Sequence, residues 1–478
     1  MTKSKGNVAK ASIGYTIGNY FLKGIGLITV PIFSRLLTTS DFGIYNTFLA
    51  YEAILYLFIE LALHESLKNA KYKFEGKLDD YTSSITVIPI VLTVIYETIV
   101  FIFGKMLVPV VGLNKTVLYL LVWYSFCSGM VIYYRFRLAL DYNYNEYLKI
   151  SFANVPINVI LSLFLIINVF DQERYMGRII GGIVSYSAIT IYILFRLYKK
   201  AFPKYNLQYW KYGLKIGVPI VPHGLAQILL LQFDRIMINS IVGSVETGIY
   251  SFAYTIYSLI QIFSQSLETV FSPWVFSQMS SGNGKEKVRK MGTCFMLLLA
   301  GACTTVMLIA PEVILILGGK KYADSVYCVC PVVLGGFFSM SYCIPAVIEY
   351  FYEKTYYTSL GTTIAAAINV VLNLIFIKKY GYVAAAYTTL VSYMAYFALH
   401  EYISKQLCGF YMIINRYLFI ALAILGIAFS IGILFVDNMI VRFSVLVILL
   451  VVGIYMLIQL YGKEEMLTAF NRMNSKRK

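Results

Sequence analysis

The stretch INVILSLFLI, Ile157–Ile166, returns almost letter for letter as INVVLNLIFI, Ile368–Ile377. Both copies sit inside apolar runs of about twenty residues, enough helix to cross a hydrocarbon core about 30 Å thick. Such runs recur along the whole chain of 478 residues. Hydrophobic residues make up 59% and charged residues 13%, against about 45–50% and about 25% in soluble domains. The chain therefore reads as an all-α polytopic membrane protein with little mass outside the bilayer.

Reading apolar runs against charged breaks gives about fourteen spans. They fall near residues 12–35, 43–64, 83–104, 116–134, 150–169, 175–195, 214–239, 247–278, 291–317, 325–351, 358–377, 382–403, 417–436 and 443–461. The first, beginning near Ala11, lacks a small-residue cleavage site and is read as a retained span. An even count puts both termini on one side. One set of alternate segments, including both termini, carries most of the Lys and Arg. The other holds only Arg35, Lys105, Lys115, Arg174, Arg178, Lys320, Lys321, Lys378, Lys379 and Arg442. Basic loops stay cytoplasmic, so both termini are expected in the cytoplasm. The formal charge of +16 is then mostly topology and attraction to anionic lipid. No basic domain exists to bind nucleic acid. The seven Cys show neither zinc spacing nor a disulfide framework; Cys127, Cys294, Cys303 and Cys343 sit in apolar runs as small hydrophobes.

The opening echo is one of three. SDFGIYNTF (Ser40–Phe48) is answered by VETGIYSFA (Val245–Ala253), and IVSY (Ile183–Tyr186) by LVSY (Leu390–Tyr393). The similar spacing implies a repeat of roughly two hundred residues, or six spans. Because six is even, the two copies share one orientation and are related by an axis along the membrane normal, with a site expected between them. This gives an N-terminal lobe, 1–205, a C-terminal lobe, 206–404, and an appendage of spans thirteen and fourteen with a basic tail, 405–478. Each GIY phrase should mark the outer turn from the first to the second span of a lobe. Its glycine suits a tight entry into the next helix and its acid (Asp41, Glu246) that helix's N-terminus.

Intramembrane charge points to the site. In the first span Thr16, Asn19 and Lys23 follow one helix face, beside the close-packing pair Gly14 and Gly18. Lys23 lies about eleven residues in, too deep to reach water easily. The seventh span carries His223, Gln227, Asp234 and Arg235, with Pro219 and Pro222 inviting a kink. Asp234 and Arg235 point about 100° apart and need not pair with each other. Glu52, Glu60 and His64 share a broad face of the second span, and Glu268 continues a polar line from Gln261 and Gln265 in the eighth. These last are candidates for ion coupling or for packing between lobes. Two cations from the first spans of the two lobes suit an anionic ligand such as a diphosphate, which crosses hydrocarbon only at a prohibitive desolvation cost without them. GNGKEK (Gly282–Lys287) lacks GxxxxGK[ST] and reads as a turn. Transport would then run on substrate or ion gradients, with no cofactor and no metal.

The segments SRLLTTSDFGIYNTF, FDRIMINSIVGSVETGIYSFAY, LILGGKKYADS and INVVLNLIFIKKYGYVAAAYTTLVSY, in this order and spacing, resemble the O-antigen/polysaccharide flippases of the multidrug/oligosaccharidyl-lipid/polysaccharide exporter superfamily. The resemblance runs from Ser12 to about Tyr402. It implies a protein of the bacterial inner membrane that is not an enzyme and flips undecaprenyl-diphosphate-linked oligosaccharide outward through a cationic cavity. Asp234-Arg235 falls on that family's Asp-Arg/Lys position. Ala384-Ala385-Ala386 stands where the family often has Gly-Ala-Ala. The implied partners are the lipid-linked substrate, membrane lipids, and a polysaccharide polymerase with its chain-length machinery. A peptidoglycan-precursor flippase or a cation-coupled drug exporter of the same fold is the nearest alternative. A membrane polymerase or glycosyltransferase would need a large extracytoplasmic loop, and every such loop here is short.

Overall fold

The computed structural model describes residues 18, 24–26, 28–282 and 284–461. Every regular element among them is helical. In lipid no water is present to satisfy backbone N–H and C=O groups, so each apolar run must close its own hydrogen bonds as a helix. Eleven helical stretches among the described residues are long and apolar enough to cross a membrane. Two further long helices, Ser244–Ser280 and Val383–Cys408, stand where the eighth and twelfth spans were expected. They fall short of that apolarity, carrying Ser, Thr, Gln and Tyr instead.

The chain divides into two compact units, Met1–Gly248 and Ile249–Lys478. The first holds α1 (Thr39–Glu60), α2 (Leu63–Lys73), α3 (Leu78–Ile85), α4 (Val87–Val111), α5 (Lys115–Leu140), α6 (Tyr144–Asn168), α7 (Arg174–Lys200), α8 (Leu207–Gly217), α9 (Val221–Ile241) and the first turn of α10 (Ser244–Ser280). Within it α1 packs on α5 and α9, and α7 packs on α5 and α6.

The GIY phrases do more than mark turns. Thr38 caps α1 by accepting from the Asp41 backbone N–H at 3.0 Å, while Asp41 Oδ2 accepts from the Thr38 N–H at 3.1 Å, a reciprocal capping box. One turn on, Gly43 lies against the backbone of Ser244 and Gly248, and a Cβ there would fall 2.8 Å from the Gly248 nitrogen. Gly248 presses on Thr39 in the same way, and the hydroxyls of Ser40 and Ser244 are 2.7 Å apart. The two phrases thus dock on each other, glycine to glycine, through backbone approach that any side chain would block.

Two spans of this unit are broken, and the breaks meet. Between α1 and α2, Leu61 and Ala62 adopt left-handed backbone with φ 52 at both. Between α8 and α9 runs a 3-10 turn, Val218–Ile220, at the expected proline kink. Gly217 packs so closely on the Leu61 and Ala62 carbonyls that a Cβ would lie 3.2 Å from the Ala62 carbonyl carbon. Leu57, Ala62 and Val221 close the contact as a small apolar cluster.

The second unit holds the rest of α10, then α11 (Lys285–Leu317), α12 (Val326–Ser341), α13 (Cys343–Phe351), α14 (Tyr356–Tyr380), α15 (Val383–Cys408), α16 (Asn415–Leu434) and α17 (Met439–Tyr461). The last two helices pack on α11. Arg442 of α17 fastens this contact with a two-pronged pair to Glu312 at 2.5 and 2.8 Å and a bond to the Leu308 carbonyl at 2.6 Å.

Both INV echoes lie in the same kind of helix pair. In the first unit, Asn158 and Ser162 of α6 face Gly181 and Gly182 of α7. In the second, Asn369 and Asn373 of α14 face Thr389 and Thr388 of α15, with Asn369 donating to Thr389 at 2.9 Å and Thr388 donating to Asn373. The first pair packs through Gly181 and Gly182 together with a Ser185–Asn154 bond of 2.7 Å, and the second through hydroxyl–amide bonds.

Candidate functional site

The polar residues of the broken seventh span lie on α9. Asp234 and Arg235 are both buried. On its own helix the Arg235 Nη1 donates to the Leu231 carbonyl at 3.0 Å and to Gln232 Oε1 at 2.6 Å. A guanidinium withdrawn from water inside an apolar span is expensive and marks a functional or tightly paired position. His223, just after Pro222, has its Nδ1 buried without a hydrogen-bond partner among the described residues. Gln227, one turn on, is exposed. Lys23 and Asn19 lie outside the described residues.

The second-span face faces α5. Ser128 donates to Glu52 Oε1, and Gly129 leaves room for the Glu60 side chain, whose Cβ would be 3.3 Å from a Cβ at that glycine. Glu60 is 1% exposed and closes a local clasp at the α1–α2 break. One carboxylate oxygen accepts from the His64 backbone N–H at 2.7 Å and the other is 2.8 Å from His64 Nδ1. The sequence-predicted trio is thus brought together against α5, with Glu60 and His64 paired and Glu52 held by Ser128. Glu268, on the part of α10 that belongs to the second unit, is exposed.

Two arginines that sequence reading passed over also belong to this interior. Arg178, read as a loop residue, lies within α7. Its Nη1 donates to Asn158 and, at 3.0 Å, to Ser162. Its guanidinium stands 3.9 Å from the Phe33 ring centroid and 5.2 Å from that of Tyr45, so the tyrosine of the first GIY phrase covers it. Asn158 and Ser162, four apart in the INV echo, were the available signal for a polar bracket. Arg135, near the end of α5, lies 5.5 Å from the Tyr147 ring centroid, with Nε buried and unbonded among the described residues. Because α5 and α7 run in the same direction, Arg178 and Arg135 stand at opposite ends of the spans. Planar, permanently charged guanidinium groups held among apolar helices are suited to receive phosphate or carboxylate oxygens.

Solved structures share this architecture. The lipid II flippase MurJ in an inward closed conformation superposes with a TM-score of 0.71 at 13% identity, over 94% of this chain and 99% of that one. An inward-facing multidrug resistance MATE family transporter of the MOP superfamily gives 0.58 at 12% identity, over 80% and 97%. At these identities the likeness is one of fold. Among curated proteins, the capsular polysaccharide biosynthesis protein CapF of Staphylococcus aureus is 25% identical over 303 residues, 61% of this chain and 72% of that protein. An uncharacterized membrane protein of Methanocaldococcus jannaschii, MJ1375, is 24% identical over 417 residues, 82% and 97%. The family model described as polysaccharide biosynthesis protein matches residues 8–280, more than half of the chain and the whole run from the broken first-unit spans through both GIY phrases. This multi-pass membrane protein, whose fold is shared with the solved MurJ and MATE structures, belongs to the polysaccharide biosynthesis protein family.

Proposed function

We propose that the protein flips undecaprenyl-diphosphate-linked oligosaccharide repeat units, destined for O-antigen, capsule or exopolysaccharide, across the bacterial inner membrane by alternating access. The observation that carries this reading is Arg235, buried in a broken span inside the family-matched region. Lys23 and Arg235 receive the diphosphate or acidic sugars, Asn19, His223, Gln227 and Asp234 line the same path, and the prenyl tail stays in lipid. Glu52, Glu60, His64 and Glu268 serve ion coupling or packing. Both termini face the cytoplasm, and the flipped units pass to a polymerase with its chain-length machinery. The two lobes, 1–205 and 206–404, move against each other, with 405–478 appended.

The test is complementation of a deletion strain with Lys23→Ala and Arg235→Ala, scored for surface polysaccharide and for protein in the membrane. Loss of polysaccharide with normal membrane abundance is expected. Normal polysaccharide from both variants would sink the charge assignment. The fold likeness to a lipid II flippase favours one second reading, transport of the peptidoglycan precursor. Lethality of the deletion, with precursor accumulating inside and no separate polysaccharide defect, would establish that instead.

A further inference from the structure

On the outer face of the α14–α15 pair, away from the Asn369–Thr389 bond, lies a crevice of about 500 Å³ lined almost wholly by apolar side chains. Its walls are two rows at i, i+4 and i+8 or nearly so: Leu372, Phe376 and Tyr380 from α14, and Ala384, Tyr387 and Val391 from α15. The hairpin at Gly381, with φ 75, closes one end. At that end Lys378 and Lys379 are exposed, and the Lys379 ammonium stands 5.0 Å from the ring centroid of the wall residue Tyr380. The repeat explains the space. Gly177 of α7, where a Cβ would meet Ile166 at 2.9 Å, corresponds to Ala384 by the IVSY/LVSY register, so a methyl stands where the first unit brings its helices into backbone contact.

We propose that this crevice is a binding site for one acyl chain of an anionic phospholipid, whose phosphate rests on Lys379. From Leu372 to Tyr380 the wall runs about 12 Å at 1.5 Å per residue, close to one leaflet's share, about 15 Å, of the hydrocarbon core. That depth matches a single acyl chain and falls far short of a long polyprenyl tail. The Lys379 charge sits where the headgroup of such a chain must lie, and a lysine at an interface favours anionic over zwitterionic lipid. The site is independent of the transport reading, since it stands on the second unit alone.

The test uses the full-length protein in nanodiscs of phosphatidylglycerol and phosphatidylcholine. A photo-crosslinking residue replaces Tyr387 in the crevice or, as a control, Val447 on lipid-exposed α17. One lysine at the interface, worth about 1 kcal/mol, predicts an anionic-to-zwitterionic capture ratio at 387 up to about 5-fold above that at 447. In K379Q, a surface change that leaves the helices intact, the ratio at 387 should fall to the control value. Equal ratios at 387 and 447 would overturn the proposal, as would a ratio at 387 that ignores the substitution. Capture of undecaprenyl phosphate ahead of phosphatidylglycerol at equal mole fraction would reassign the crevice to prenyl chains.

Discussion

Replacing Gly43 by alanine tests the docking of the two GIY phrases. The new methyl would lie inside the van der Waals envelope of the Ser244 carbonyl and 2.8 Å from the Gly248 nitrogen. Both obstacles are helix backbone, so no side chain can rotate away and α1 must lift from α10. Lifting also strains the Ser40–Ser244 contact of 2.7 Å. Overpacking a rigid contact costs about 1–3 kcal/mol, and a lost hydrogen bond adds about 1 kcal/mol, so Gly43→Ala should destabilise by about 3 kcal/mol. Gly426→Ala is the control. It sits in helix α16 with nothing within 4 Å of the added methyl, and alanine there should gain up to about 1 kcal/mol from helix propensity. Gly248→Ala presses on Thr39 from the other side and should cost as much as Gly43→Ala. The double variant should cost less than the sum, because one separation relieves both clashes. Thermal aggregation midpoints of the purified protein in detergent read all four. If Gly43→Ala melts with Gly426→Ala, at or above the parent protein, the docking of the two phrases is wrong.

Three further substitutions probe the packing. Arg442→Met leaves Glu312 without its partner. Arg442 is 2% exposed and Glu312 27%, so the loss should be about 2–3 kcal/mol, below the full range for a buried pair, and adding Glu312→Leu should restore most of it in the same melting assay. Asn373→Ala removes an acceptor of the Thr388 hydroxyl, which keeps the Ala385 carbonyl at 3.0 Å, and the donor to Asn369. It should cost about 1–3 kcal/mol, and Asn373→Ala with Thr388→Ala should cost less than the sum of the two single changes, because they share one bond. Arg178→Lys keeps the charge but loses the planar guanidinium that stacks on Phe33 while its Nη1 bonds Asn158 and Ser162. A loss of about 1–2 kcal/mol is expected, and a melt indistinguishable from the parent would show that the bracket contributes nothing.

The sequence alone determined the helical class, the number of spans to be sought and the kink at Pro219 and Pro222. Each depends on local composition or on the backbone itself. A twenty-residue apolar run in lipid has only one way to satisfy its amides, and a proline has no N–H to give. The four-residue spacing pointed to Glu60 and His64, but the two pair across the left-handed break at Leu61–Ala62 and not along one continuous helix. What the sequence could not decide was which residues from distant spans share an interior. Arg178 looked like a loop charge until α6 placed Asn158 and Ser162 beneath it, and Tyr45 looked like part of a turn until it stood over that guanidinium. Gly43 read as a helix-entry glycine until Ser244 arrived against it. The left-handed pair Leu61–Ala62 carries no local signal at all, since neither residue favours that backbone. It is held where Gly217 packs against it, and only the folded chain supplies that contact.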